Sequence, residues 1–332
     1  MRSNSSLTVR HAGFTTMVQD LGRIGFRRFG VSPGGALDLH ALRIANLLVE
    51  NDEAAAGLEI TLGGFRGKFD QPRLIAWCGG GFDVRIGTIV LQAGHVGSIE
   101  PGEELIVNPP KTGCRAWLAI SGGIEVPRVL DSRSTDLRGD FGGMDGRPLV
   151  SGDVVPIGSQ SNGANDIAAL LKKEKVSAWS APANWTSTAS ESPVLRFVKG
   201  GDWDQFDVSA HKLFAMQCFT VSPDSNRMGA RLEGTLLWRK DDRDLISQAV
   251  TPGTIQVPPN AKPIVLLGDC QTIGGYPKLA HVITVDLAAA AQLRPGDQVR
   301  FRQVSLPEAH RLLFQRERDF GLFRVGLEAR AA

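Results

Sequence analysis

A single tyrosine, Tyr276, and four cysteines occur in 332 residues. The cysteines, Cys78, Cys114, Cys218 and Cys270, are far apart and form no C-x-x-C pair. They read as reduced core thiols of a cytoplasmic protein rather than as a disulfide or zinc framework. No apolar run approaches the roughly 20 residues that a membrane helix needs. Residues 1–10 lack the apolar core of a signal peptide. Charge of one sign is also missing: 37 basic and 35 acidic side chains leave a net +2 with no block of like charges. Nucleic acid is therefore not implied. The six histidines show no paired ligand spacing, so a protein metal site is not expected.

Two further motifs fall short. Gly30-Val31-Ser32-Pro33-Gly34 has the G-x-S-x-G spacing of a nucleophile elbow. That motif needs a buried strand before the serine and a helix after it. Here Arg27, Arg28 and Phe29 precede it and Pro33 follows at once. Gly67-Lys68 resembles the end of a phosphate loop, but Leu62 and Phe69 stand where glycine and Ser/Thr are required.

What is present is glycine, 38 residues of it, punctuating short apolar runs. Residues 86–91, 104–107, 116–120, 154–157, 264–267 and 299–301 read as strands. One helix is expected over 37–49, where Leu37, Ala41, Ile44, Ala45 and Leu48 recur at helical spacing and Asp38 suits the N-terminal dipole. A second is expected over 307–316, opened by Pro307. The chain is thus mainly β with accessory helices. Its length suggests two domains of roughly 100–200 residues each. The N-terminal β-rich half spans 1–158 and the C-terminal half 191–332. The Ser-, Asn-, Ala- and Lys-rich stretch 159–190 reads as a linker or exposed excursion. The halves echo each other weakly: 119–130 followed by 149–155, and 274–282 followed by 293–299, both run through Gly-Gly and Pro to a Gly-Asp turn. Residues 101–105 repeat that turn element. A duplication of this kind predicts two related β-barrels.

Four polar clusters carry the candidate chemistry. Gln19, Asp20 and Arg23 could orient a carboxylate or amide, arginine through its bidentate fork; the alternative is an Asp20–Arg23 pair that pins a loop. Beyond them lie Asp38 and Asn46 on the first helix, and Glu59, a carboxylate in an apolar strand that needs a partner. Ser132, Arg133 and Ser134 suit an anion or, alternatively, a capped turn. Asn226 and Arg227 form the third cluster. The fourth packs Asp269, Gln271, Thr272 and Tyr276 into residues 268–277, at the end of the apolar run 263–267, with Gln256 one strand earlier. Polar side chains where a rigid strand leaves the core commonly build a site; the alternative is a turn in which Asp269 and Thr272 bond their own backbone.

Together, residues 13–23, 38–46, Leu58-Glu59, 132–135, 226–229, 253–258 and 269–277 resemble, in one order over nearly the whole chain, the allophanate hydrolase subunit 2 family. That family includes the C-type subunit of the prokaryotic ATP-dependent 5-oxoprolinase and half of the carboxyltransferase domain of urea carboxylase. The chain departs from it at Ser32-Pro33-Gly34-Gly35 and at Thr272-Ile273.

The resemblance implies two cyclophilin-like barrels and a site shared with a subunit 1/B type partner. A LamB/YcsF-like protein, the A-type subunit, is a further candidate partner. ATP would be used by the complex to open 5-oxoproline to glutamate, with Asp269, Gln271, Tyr276 and Arg227 as catalytic groups. In that reading Arg133 and Arg227 hold carboxylate or developing phosphate charge. Gln19, Asp20, Arg23, Asp38, Asn46, Glu59, Ser132, Ser134, Asn226, Gln256 and Thr272 join Arg133 as substrate-binding residues. The alternatives are a biotin-dependent carboxyltransferase for urea or a related amide, or a non-enzymatic regulator that antagonises a kinase inhibitor. The chain lacks a Met-Lys-Met context, so carboxybiotin would arrive on another protein.

Overall fold

Short apolar runs between glycine turns become strands. The computed structural model describes residues 5–187, 189–190, 192–241 and 245–331 and is mainly β. The chain divides into two units. The first is Met1–Arg23 with Gly34–Ala189 and Leu322–Ala332, and the second is Ile24–Pro33 with Ser190–Gly321.

The first unit contains β1 (Ser5–Ala12), β2 (Thr15–Gln19), β3 (Gly57–Thr61), β4 (Phe65–Phe69), β5 (Arg73–Gly79), β6 (Val84–Ile86), β7 (Ile89–Val90), β8 (His95–Ile99), β9 (Glu104–Val107), β10 (Arg115–Ile120), β11 (Val154–Ile157) and β12 (Val176–Ser180). They form two six-stranded sheets, in the orders β11-β1-β4-β9-β6-β7 and β12-β8-β5-β10-β3-β2. Leu7, Val9, Phe65, Ile75, Trp77, Leu118 and Ile120 share one apolar core. β1 alternates buried and half-buried positions, whereas β5 and β10 are buried throughout. The reason is α1 (Leu39–Leu48), which packs on both of those strands and covers their second face.

The expected stripe is the buried one: Ala41, Ile44, Ala45 and Leu48 are at most 1% exposed. The helix starts two residues later than 37 because Asp38 is extended and caps it, its Oδ1 accepting the Ala41 N–H at 3.0 Å. The run 86–91, expected as one strand, is a hairpin that pairs Ile86 with Ile89, with Gly87 in the turn at φ +57°.

Residues 159–190, read as a linker or exposed excursion, contain regular structure. They hold α2 (Asn162–Leu170), β12 and α3 (Ala183–Thr186), and β12 pairs with β8. Ser161 caps α2 through the Ala164 N–H, so the polar composition serves a helix start. A register shift between Val176 and Ser180 leaves β12 no clean alternation to read.

The second unit contains β13 (Val194–Lys199), α4 (Val208–Met216), β14 (Phe219–Val221), β15 (Gly229–Glu233), β16 (Gln248–Ala249), β17 (Thr254–Gln256), β18 (Ile264–Leu266), β19 (Ile273–Gly274), β20 (Lys278–Val282), α5 (Leu287–Ala290) and β21 (Gln298–Gln303). Seven of these strands close into a barrel in the order β13-β20-β17-β18-β15-β14-β21. Closure is parallel, Leu195 of β13 pairing with Phe301 of β21. Phe214 of α4 lies 4.9 Å from Phe197 and 4.5 Å from Phe301, ring centre to ring centre.

The helix expected over 307–316 is α6, Leu306–Ala331. Its continuation mixes charged residues with apolar ones, of which Phe320 is buried while Leu322 and Val325 are exposed, so the apolar pattern is interrupted, yet no proline stops the helix.

Three strands are entered by the same turn. In each, an acid caps the residue three positions back: Glu103 on the Glu100 N–H, Asp153 on Val150, Asp297 on Arg294. The preceding glycine has φ of +91°, +97° or +89°, a region open to glycine at little cost.

Candidate functional site

In the second unit the barrel strands deliver side chains to one cleft of ≈ 520 Å³. Gln256 ends β17, Gln271 and Tyr276 flank β19, and Asn226 sits in the turn before β15. All four line the cleft, together with Arg231, Pro258, Pro259 and Asn260. The Gln256 side chain is 1% exposed, with Nε2 donating to the Tyr276 carbonyl at 3.2 Å. Its Oε1 accepts from Gln271 Nε2 at 3.3 Å. The ribbon formed by β16 and β19 holds this loop, pairing Gln248 with Gly274 and Ala249 with Ile273. Thr272 contributes its carbonyl, which accepts the Val250 N–H.

Tyr276, 46% exposed, also lines a second, more apolar cleft with Leu237, Trp238, Leu245, Val257 and Pro277. Its ring and Pro258-Pro259 are therefore walls common to both clefts. Trp238, 59% exposed, is the residue that the sequence reading missed. It ends the short run Leu236-Leu237-Trp238, which lies outside every named strand and carries no alternation to read.

Arg227 and Asp269 meet each other. Nε donates to Oδ2 at 2.7 Å and Nη2 to Oδ1 at 3.0 Å, a bidentate pair of two nearly buried groups. The Asp269 N–H also donates to the Arg227 carbonyl, and Leu267 N–H to that of Met228. The pair thus ties the turn before β15 to the loop after β18. Asn226 turns its Oδ1 to the Met228 N–H at 2.8 Å. Neighbouring Cys270 is fully buried, and desolvation pushes its thiol up to about 11 despite the opposing charge of Arg27.

The first unit gathers the other candidates, mostly into self-contained networks. Asp20 Oδ1 accepts from Ser132 Oγ and Ser134 Oγ, both at 2.6 Å, and from the Gly22 N–H, while Oδ2 accepts the Arg133 N–H at 2.6 Å. Arg23 is fully buried, donates to the carbonyls of Val129 and Ser134 and lies 4.6 Å from the Phe141 ring centre. Arg133 pairs with Glu125 at 2.7 Å. Gln19 Nε2 donates to the Thr135 carbonyl. Residues 129–147 therefore fold around Asp20 and Arg23.

Glu59 is fully buried and accepts the Leu37 N–H at 2.9 Å and Trp117 Nε1 at 2.8 Å, with Arg115 Nε 3.7 Å away. Asn46 bonds the carbonyls of Glu53 and Ala55 and Asn51 Nδ2, closing the turn after α1.

Ser32 lies in coil with Oγ on the Gly268 carbonyl at 3.2 Å, and Gly67-Lys68 lies inside β4. Neither has an elbow or a phosphate cradle around it. Among the described residues no group of three or more His, Cys, Asp or Glu could hold a metal, and no helix is long and apolar enough to cross a membrane.

The family described as "Carboxyltransferase domain, subdomain A and B" matches residues 29–303. The C-type subunit of the 5-oxoprolinase of Escherichia coli (strain K12) is 40% identical over 317 residues, covering 95% of this chain and 96% of that protein. Its counterpart in Haemophilus influenzae, also a 5-oxoprolinase C-type subunit, is 35% identical, covering 89% and 90%. Among solved structures, the K. lactis urea amidolyase superposes with a TM-score of 0.85 at 28% identity; the match covers 96% of this chain but only 20% of that one.

Proposed function

The chain belongs to the carboxyltransferase domain, subdomain A and B family, and from that membership we propose that it is the C-type subunit of an ATP-dependent 5-oxoprolinase, opening 5-oxoproline to glutamate. The observation that carries this reading is the near end-to-end match to a 5-oxoprolinase C-type subunit, 96% of the Escherichia coli protein. The proposed complex adds a subunit 1/B type partner and a LamB/YcsF-like A-type protein, in the cytoplasm.

A lactam carbonyl is a poor electrophile, and transfer of a phosphoryl group from ATP to its oxygen activates it for attack by water. This chain offers no phosphate loop, so the nucleotide's phosphates are assigned to the complex. What this chain contributes is recognition of the planar N–C=O group. Gln256 and Gln271 present carboxamides side by side, each with a donor and an acceptor. The bond between them is long at 3.3 Å and is readily exchanged for a substrate N–H or carbonyl. Asn226 adds another amide, and the Tyr276 ring supplies a wall and a phenolic donor. Arg227 and Asp269 act as positioning residues, because each directs its fork at the other.

The urea amidolyase likeness favours a second reading, carboxyl transfer to a urea-like nitrogen from carboxybiotin borne by another protein. The same carboxamide pair would meet the ureido group.

Co-expression with the genomic neighbours that encode the subunit 1/B type and LamB/YcsF-like proteins, followed by assay of ADP and glutamate from 5-oxoproline, tests the first reading. Glutamate formation that requires all three proteins is the expected result. An intact complex without turnover overturns it and transfers the assignment to carboxyl transfer.

A further inference from the structure

Arg73 opens β5 at a cleft of ≈ 820 Å³ in the first unit, lined by none of the residues assigned above to substrate. It is only 6% exposed. Nη1 donates to the Pro72 carbonyl at 3.2 Å and Nη2 to that of Gly158 at a long 3.4 Å, while Nε has no acceptor. No carboxylate among the described residues forms an ion pair with it. Asp70 acts on it through space, but the Asp70 oxygens accept from Ser5 Oγ, the Ser6 N–H and Ser6 Oγ. Glu125 also lines the cleft, with its carboxylate on Arg133.

A buried guanidinium with no carboxylate in contact is costly. Burial accordingly holds the Arg73 guanidinium below its ordinary value. The floor of the cleft is fixed around it. A Cβ on Gly122 would lie 2.2 Å from the Gly158 carbonyl oxygen, and one on Gly158 would lie 2.3 Å from that of Gly122. Both positions therefore require glycine. Above the floor stand amides. Gln160 is oriented by Ser121 Oγ on its Oε1 at 2.6 Å, with Nε2 on the Pro72 carbonyl at 3.2 Å. Gln71 and Asn165 line the rim.

We propose that this cleft binds a small oxyanion, a carboxylate or a phosphate, with the Arg73 guanidinium as its charge partner and the Gln160 and Asn165 amides as further donors. A planar or tetrahedral oxyanion supplies the close negative charge that the guanidinium lacks, and suits the fork that arginine presents. The proposal is independent of the reaction assigned to the barrel cleft.

Isothermal titration of the full chain with sodium phosphate, and separately with sodium acetate, at ionic strength held constant with chloride, tests it. Saturable one-site binding is expected. Phosphate alone would identify a phosphoryl group, acetate alone a carboxylate, and both the shared oxyanion fork. Arg73→Gln should abolish the signal. Asn165 is exposed in the first turn of α2, where an acid is well tolerated; Asn165→Asp should therefore fold and weaken binding at least about tenfold by like-charge repulsion. If Arg73→Gln does not fold, Asn165→Asp decides. Heats no larger than the chloride control, or unchanged affinity in Asn165→Asp, overturn the proposal.

Discussion

Gln271 donates to Gln256, and Gln256 in turn donates to the backbone carbonyl of Tyr276, so one relay of amides runs from the loop before β19 through β17 to the loop after β19. The half-buried outer member should be removable without loss of fold. Gln271→Ala is expected to lower kcat/KM of the assembled complex about tenfold, mostly through KM, as for loss of one uncharged hydrogen bond to substrate. The melting temperature should move by less than about 2 °C. A large drop in melting temperature with unaltered kinetics would assign Gln271 to the fold alone.

Breaking the pair of Arg227 and Asp269 should behave differently. Both groups are nearly buried, and removing one strands the other's charge. Asp269→Asn or Arg227→Ala should destabilise the chain by about 3–5 kcal/mol, seen as a shifted denaturation midpoint. The double change Arg227→Met with Asp269→Leu should recover much of that loss. Equal stability for Asp269→Asn and the native chain would contradict the positioning role and return Asp269 to the catalytic groups.

Gly142 has φ +72°, and a Cβ there would stand 2.2 Å from the Ser134 carbonyl oxygen and 2.3 Å from Arg23 Nη2. Gly152 has φ +97° but open space around it. Gly142→Ala should therefore cost clearly more than Gly152→Ala, for which backbone strain of about 1 kcal/mol is expected. Parallel urea titrations of the two variants measure the difference.

The half-buried His281 and the buried Cys270 bracket the pH range of stability. Burial lowers the His281 imidazole from 6.5, so the unfolded chain binds a proton that the folded chain refuses. Stability should fall as pH drops below about 6.5. Cys270, raised to about 11, holds its proton in the fold where an unfolded thiol, at 9.0, loses it. Stability should fall as pH rises above that unfolded value. In the native protein the half-exposed Cys218 should react with a thiol reagent well before the buried Cys270. Replacing His281 with Gln should flatten the acid limb.

Much of the fold was legible because its signals are local. The runs 104–107 and 154–157 are strands with those bounds, and the α1 stripe is buried as its spacing predicts. The turn ahead of three strands was visible as recurring Gly-Glu or Gly-Asp, and its cause is one capping geometry used three times. What escaped was set by partners distant in sequence. Nothing near Glu59 announces Trp117 or Arg115, and nothing near Asp20 announces Ser132 or Ser134, more than a hundred residues away. Pairing through space also decided which polar residues meet in the barrel cleft. Composition could nominate Asp269 and Arg227, but only geometry shows them facing each other. β12 and α6 were lost or shortened because neither carries a clean apolar period.

The parallel seam between β13 and β21 has a consequence for synthesis on the ribosome. Leu195 must wait for Phe301, about a hundred codons later, before the barrel can close. Both sheets of the first unit, by contrast, have all their strands once Ser180 has emerged. The nascent chain should therefore fold its N-terminal sheets early and carry β13 as an open edge for most of the remaining translation, an interval in which that strand is exposed to wrong pairings.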